Sequence, residues 1–106
     1  MNQALEQLKA ARESIAKGWT QGAIARDVSG KPVDPLSPEA VCFCVLGAFD
    51  KVTNNKPGWA RDGEQLLRRT IGCLFIFEWN DAPGRTQEEV LAAFDKAIAA
   101  CEGTKS

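Results

Sequence analysis

Ser37-Pro38-Glu39-Ala40-Val41-Cys42-Phe43-Cys44-Val45-Leu46-Gly47-Ala48-Phe49-Asp50-Lys51-Val52 is the stretch on which the fold turns. It opens with a hydroxyl able to cap a helix, a proline suited to the first helical position and an early acid. Beyond that start, Val41, Cys44, Val45, Ala48, Phe49 and Val52 recur at three-to-four spacing, while Cys42, Phe43 and Leu46 fall on a second face. A helix over 37–52 that is apolar on two sides belongs at the centre of a bundle. Gly47 costs such a helix about 0.5–1 kcal/mol relative to alanine. Its presence therefore predicts a close backbone approach, expected from a third helix near Gly72.

Upstream, Leu5, Leu8, Arg12 and Ile15, with Ala4 and Ala11, mark a first helix over 2–17 that Gly18 ends in a left-handed cap. Between the two helices, Ala23-Ile24-Ala25-Arg26 reads as extended and Ser29-Gly30 as a turn. Lys31-Pro32-Val33 returns antiparallel, and Pro32, having no amide proton, keeps that return at an edge. Downstream, residues 53–60 with Pro57-Gly58 are a loop. Asp62 and Gln65 then cap a third helix over 64–78 that carries Leu66, Leu67, Ile71, Leu74 and Phe75. Residues 70–77 are β-branched and aromatic enough to fit a buried strand. A lone strand would leave its backbone unpaired, which favours helix. Residues 79–85 are a turn-rich loop, and the capping box Thr86-Gln87-Glu88-Glu89 opens a last helix through Val90, Leu91, Phe94, Ala97, Ile98 and Cys101. Gly103 closes it. The expected fold is all-α: a four-helix compact domain with a short irregular β-hairpin insert between helices 1 and 2. It fills residues 1–102 as a single domain and leaves a frayed tail over 103–106.

The length of 106 residues suits one domain, and 44% hydrophobic with 25% charged residues is the composition of a globular chain. Thirteen basic residues against fourteen acidic ones give a net charge of -1, without the basic excess that phosphate binding draws on. Arg61, Arg68 and Arg69 cluster, but Asp62 and Glu64 lie among them, so a solvated mixed-charge face is expected there and nucleic acid is not an expected partner. No apolar run approaches the roughly 20 residues of a membrane span. The first residues have neither basic flank nor apolar core, so a cytoplasmic protein without a signal peptide is expected. Four cysteines, Cys42, Cys44, Cys73 and Cys101, sit in apolar runs without metal-ligand spacing, and there is no histidine. They read as reduced core residues, with no metal and no cofactor expected.

Chemistry has few carriers. With no histidine and no tyrosine, the commonest acid-base groups are absent. Two loops are richer than loops need to be: Gly18-Trp19-Thr20-Gln21-Gly22-Ala23-Ile24-Ala25-Arg26-Asp27 and Trp79-Asn80-Asp81-Ala82-Pro83-Gly84-Arg85-Thr86. Each joins a tryptophan to amide, carboxylate and guanidinium groups, the mix found in ligand sites and interface hot spots. If the first and last helices run antiparallel, the end of one lies beside the start of the other and both loops meet at one pole. Trp19, Gln21, Arg26, Asp27, Trp79, Asn80, Asp81 and Arg85 would then surround one patch. The competing reading has the indoles plugging the core, Asn80 and Asp81 bonding loop amides, and Arg26 and Arg85 pairing with Asp27 and Asp81.

These same residues carry a resemblance. Gly18-Trp19-Thr20-Gln21-Gly22-Ala23, Ala25-Arg26-Asp27, Ser37-Pro38-Glu39-Ala40-Val41 with Cys44 and Gly47-Ala48, Trp79-Asn80-Asp81, Pro83-Gly84-Arg85-Thr86 and Glu89-Val90-Leu91 resemble an uncharacterised family of small bacterial and phage domains of unknown function. The resemblance covers nearly the whole chain, weakest over residues 53–77, and implies a compact domain without an assigned activity. The expected function is a non-catalytic binding module that engages a protein or a small ligand through the two tryptophan loops, as a phage-type inhibitor of a host protein does. The alternative is a small enzyme that uses Asp27, Asp81, Arg26 and Arg85.

Overall fold

Leu5, Leu8, Ala11 and Ile15 recur on one side of helix α1 (Gln3–Lys17) and are buried there, as their spacing requires. The computed structural model describes residues 3–54 and 62–103. Residues 55–60 of the expected loop over 53–60, Arg61, and residues 104–106 of the expected tail over 103–106 lie outside the described residues. After α1 come strands β1 (Ala25–Arg26) and β2 (Cys42–Phe43), then helices α2 (Val45–Thr53), α3 (Asp62–Ile71), α4 (Ile76–Asn80) and α5 (Gln87–Gly103). The protein is mainly helical, with a small antiparallel sheet inserted between its first two helices.

The second helix starts later than Ser37-Pro38-Glu39 suggests. The Glu39 N–H does donate to the Ser37 hydroxyl (3.1 Å), but that bond closes only a turn. Residues 41–44 are claimed by the sheet instead. Ala25 pairs with Phe43 and Arg26 with Cys42, and on the other side of β2 the Phe43 N–H donates to the Gly18 carbonyl and the Thr20 N–H to the Phe43 carbonyl. A segment whose backbone is satisfied from both sides has no need of helical bonds. α2 begins only at Val45, capped by the Cys44 sulfur, which accepts from the Gly47 N–H. The return at Lys31-Pro32-Val33 exists as a bridge between Arg26 and Pro32, on the edge that a proline permits.

Gly47 does meet another backbone closely. A Cβ there would lie 2.1 Å from the Ile24 carbonyl oxygen, whereas Gly72, the expected partner, has open space around it. Gly18 plays the same part against β2, where a Cβ would stand 2.4 Å from the Val41 carbonyl oxygen, so close approach and not a left-handed cap explains it. Gly72 has φ +84 and ends α3, so the expected third helix over 64–78 is two helices, with neither a strand nor a continuous helix over 70–77.

The central helix is α1, which touches α2, α3 and α5. Buried polar groups disguise that role in the sequence. Gln7 is fully buried, and its Oε1 accepts from the Gly63 N–H (2.8 Å), which satisfies a donor at the start of α3. Asp62, expected to cap that helix, lies inside its first turn. Phe49 of α2 stacks on Phe94 of α5 (5.7 Å between centroids) within the one core cluster. α5 opens as its capping box dictates: the Glu89 N–H donates to the Thr86 hydroxyl and the Thr86 N–H to the Glu89 carboxylate. Gln87 in turn donates to the Ile15 carbonyl (2.8 Å), which ties the start of α5 to the end of α1.

Candidate functional site

That antiparallel arrangement brings the two tryptophan loops together at one pole, with Asn80 at the hub. Asn80 is the last residue of α4, and no part of it is exposed. Its Oδ1 accepts from the Trp19 indole N–H (2.8 Å) and the Val45 N–H (3.0 Å). Its Nδ2 donates to the Thr20 carbonyl (3.1 Å) and to the Asp81 carboxylate (2.9 Å). Two acceptor positions and two donor hydrogens are thus all engaged, which is the whole capacity of the side chain. Gln21 donates to the Asn80 and Ala82 carbonyls (2.9 and 3.0 Å), and the Gly22 N–H donates to Asp81 (3.1 Å).

The arginines serve the same frame. Arg26 donates to the Thr20 hydroxyl (3.0 Å), the Gly30 carbonyl (2.9 Å) and the Gln21 carbonyl (3.1 Å). Arg85 donates to the Trp79 carbonyl (3.0 Å), lies over the Trp79 ring (4.1 Å) and approaches Glu89 (3.9 Å). Among the described residues, no ion pair joins either arginine to Asp27 or Asp81. Asp27 stands apart and holds its own turn, accepting from the Ser29 hydroxyl and from the Ser29 and Lys31 amides. The Ser29 hydroxyl, followed by the Lys31 amide, holds its carboxyl below the ordinary value. Bound to amides and easily ionised, Asp27 is a turn acceptor poorly suited to general-base work.

The four cysteines stand as free thiols. Burial pushes the Cys44 thiol up, which suits its part as a neutral helix cap and makes it a poor nucleophile. Burial raises Cys73 as well, against the pull of Arg68.

Beside this polar junction lies a surface that the sequence pattern concealed. Leu74, Phe75 and Phe77 are 80%, 55% and 47% exposed, and only Ile76 of that run is buried. Two shallow hollows flank Leu74 and share Cys73 with it. One, about 510 Å³, is lined by Gln65, Arg68 and Arg69; the other, about 430 Å³, is lined by Phe75, Glu78 and Trp79. Trp79 therefore belongs to both regions. The signal available in the sequence was Gly72, which breaks the run and lets the chain turn its next apolar residues outward.

The site is thus a small helical domain's pole, cross-tied by one asparagine and bordered by an apolar strip. The model of DUF6197, a family of unknown function, matches residues 1–100, and the chain belongs to that family. No curated protein and no solved structure matches it. Among the described residues, no helix is long and apolar enough to cross a membrane.

Proposed function

We propose that the domain is a non-catalytic binding module for a protein partner, with the surface from Leu74 to Trp79 as its docking face. The observation that carries this reading is the exposure of Leu74, Phe75 and Phe77 side by side on a frame fixed by Asn80. Contiguous exposed apolar groups of this kind mark interaction surfaces, and aromatic residues dominate interface energetics. The polar groups of the tryptophan loops support the face by fixing its position, because their bonds are spent within the fold. The open, shallow shape of the flanking hollows favours a protein over a small ligand. A bacterial or phage-encoded chain acting in the cytoplasm, such as an inhibitor of a host protein, fits this reading and the family resemblance.

The test is site-specific photo-crosslinking in producing cells, with a photoreactive phenylalanine at Phe75 and a control at exposed Val28 on the hairpin. Discrete adducts from position 75 and none from 28 are expected. Equal capture at both positions, or none at 75, refutes the docking face.

A further inference from the structure

We infer that one occupant of this face is a second copy of the chain, paired about a two-fold axis beside Leu74. The inference rests on the docking-face reading above and names its partner. Leu74 is a ridge between two unlike hollows, the cationic one with Arg68 and Arg69 and the apolar one with Phe75 and Trp79, edged by Glu78. Arg68 already has Glu64 at 3.9 Å and donates to the Leu74 carbonyl. Arg69 and Glu78 are exposed, and neither is engaged by a neighbour among the described residues. Among the described residues, the strip thus offers Arg69 as an unpaired cation and Glu78 as an unpaired acid on opposite sides of an apolar ridge.

Such a strip is complementary to itself. In an isologous pair, any contact from one copy to the other is made twice. Leu74 of each copy enters the hollow over the partner's Phe75 and Trp79, and Arg69 of each comes against the partner's Glu78. A foreign segment of uniform charge would meet a like charge at one end, which costs affinity. The lining of the two hollows is far fewer residues than the roughly 20–30 a side of a standard interface, so the pair is a weak, concentration-dependent dimer.

Sedimentation velocity on the full chain, from about 5 to about 500 µM to cover weak association, reads the result. The expected mass rises from the 11.5 kDa of one copy towards twice that value. Arg69→Glu and Glu78→Arg each weaken the dimer by about tenfold or more, and the double reversal restores it to within about threefold. That recovery cannot come from loss of folding. A monomer at every concentration, or a dimer indifferent to both reversals, overturns the inference. A persistent monomer whose Phe75 crosslinker captures a different protein overturns self-pairing and leaves the docking face standing. A monomer that captures nothing overturns both.

Discussion

At Asn80 a polar side chain is wholly buried with every donor and acceptor engaged, while three residues earlier Phe77 holds an aromatic ring half in water. Polarity would have placed them the other way round. Burial at Asn80 is tolerable because four partners from three segments replace its water. Exposure at Phe77 follows from geometry. α4 has only five residues, and Ile76 and Asn80, four apart, occupy its buried face. Phe77 and Glu78, on the opposite side of so short a helix, point outward whatever their chemistry, while Trp79 is half-buried against the core. Residue type tells how much a position costs, and the neighbouring backbone decides which cost is met.

The comparison is broken most severely at its hub. Asn80→Ala strands the Trp19 and Val45 donors and leaves a gap, so a loss of about 3–5 kcal/mol in urea unfolding is expected, against about 1–3 for each stranded group. A loss under about 1 kcal/mol would mean that the two loops are not held by this residue. Gly47→Ala comes next. Its Cβ would press on the Ile24 carbonyl, and overpacking of about 1–3 kcal/mol outweighs the roughly 0.5–1 kcal/mol gained in helix propensity. A higher melting temperature in this variant contradicts the contact.

Smaller effects sharpen the contrast. The Asp27 carboxyl is held below its ordinary value in the folded state. Its stabilising contribution is therefore complete above the unfolded value of about 3.9 and fades as pH falls through the folded one. Asp27→Asn should be less stable than the parent at pH 6, and the two unfolding curves should converge in acid. A gap that persists or widens at low pH assigns the bonds to something other than the ionised carboxylate. The smallest effect belongs to the strip. Leu74→Ser and Phe77→Ser should each change stability by no more than about 0.5 kcal/mol, as exposed positions do. A clear loss of melting temperature would show that these side chains are covered in the folded protein.

How much of this was legible in the residues varied with how local the causes were. The Thr86–Glu89 capping box lies within four residues and formed as written. The meeting of the two tryptophan loops followed from antiparallel ends of α1 and α5, an inference about topology that needs no detail. Ser37-Pro38-Glu39 misled because its local signal is genuine but weak. Pairing with Gly18, Thr20, Ile24 and Arg26 outbid it, and those partners are distant in sequence. Gly47 announced a close neighbour without naming Ile24. α1 hid its central position behind Gln7, which reads as surface until its bond to Gly63 is seen. At the candidate site, the polar residues around Trp19 and Trp79 stand out in the sequence, although Asn80 closes α4 and Asp27 holds a turn of its own, while Leu74 and Phe75 read as core because hydropathy carries no record of which way a chain turns after a glycine.

The seam between α1 and α5 has a consequence for how the chain comes to fold. Lys9 meets Glu102, Arg12 meets Asp95 at 2.6 Å, and Gln87 binds the end of α1, so α1 is matched along its length by α5, some seventy or more residues later in sequence. On an emerging chain, Leu8, Ala11 and Ile15 have no complete cover until α5 has been synthesised. Contacts spanning this much sequence delay the step at which burial outweighs the entropy of closure. The native packing around α1 therefore becomes accessible only once α5 has been made. Until then, α1 is an amphipathic segment whose apolar face lacks part of its cover.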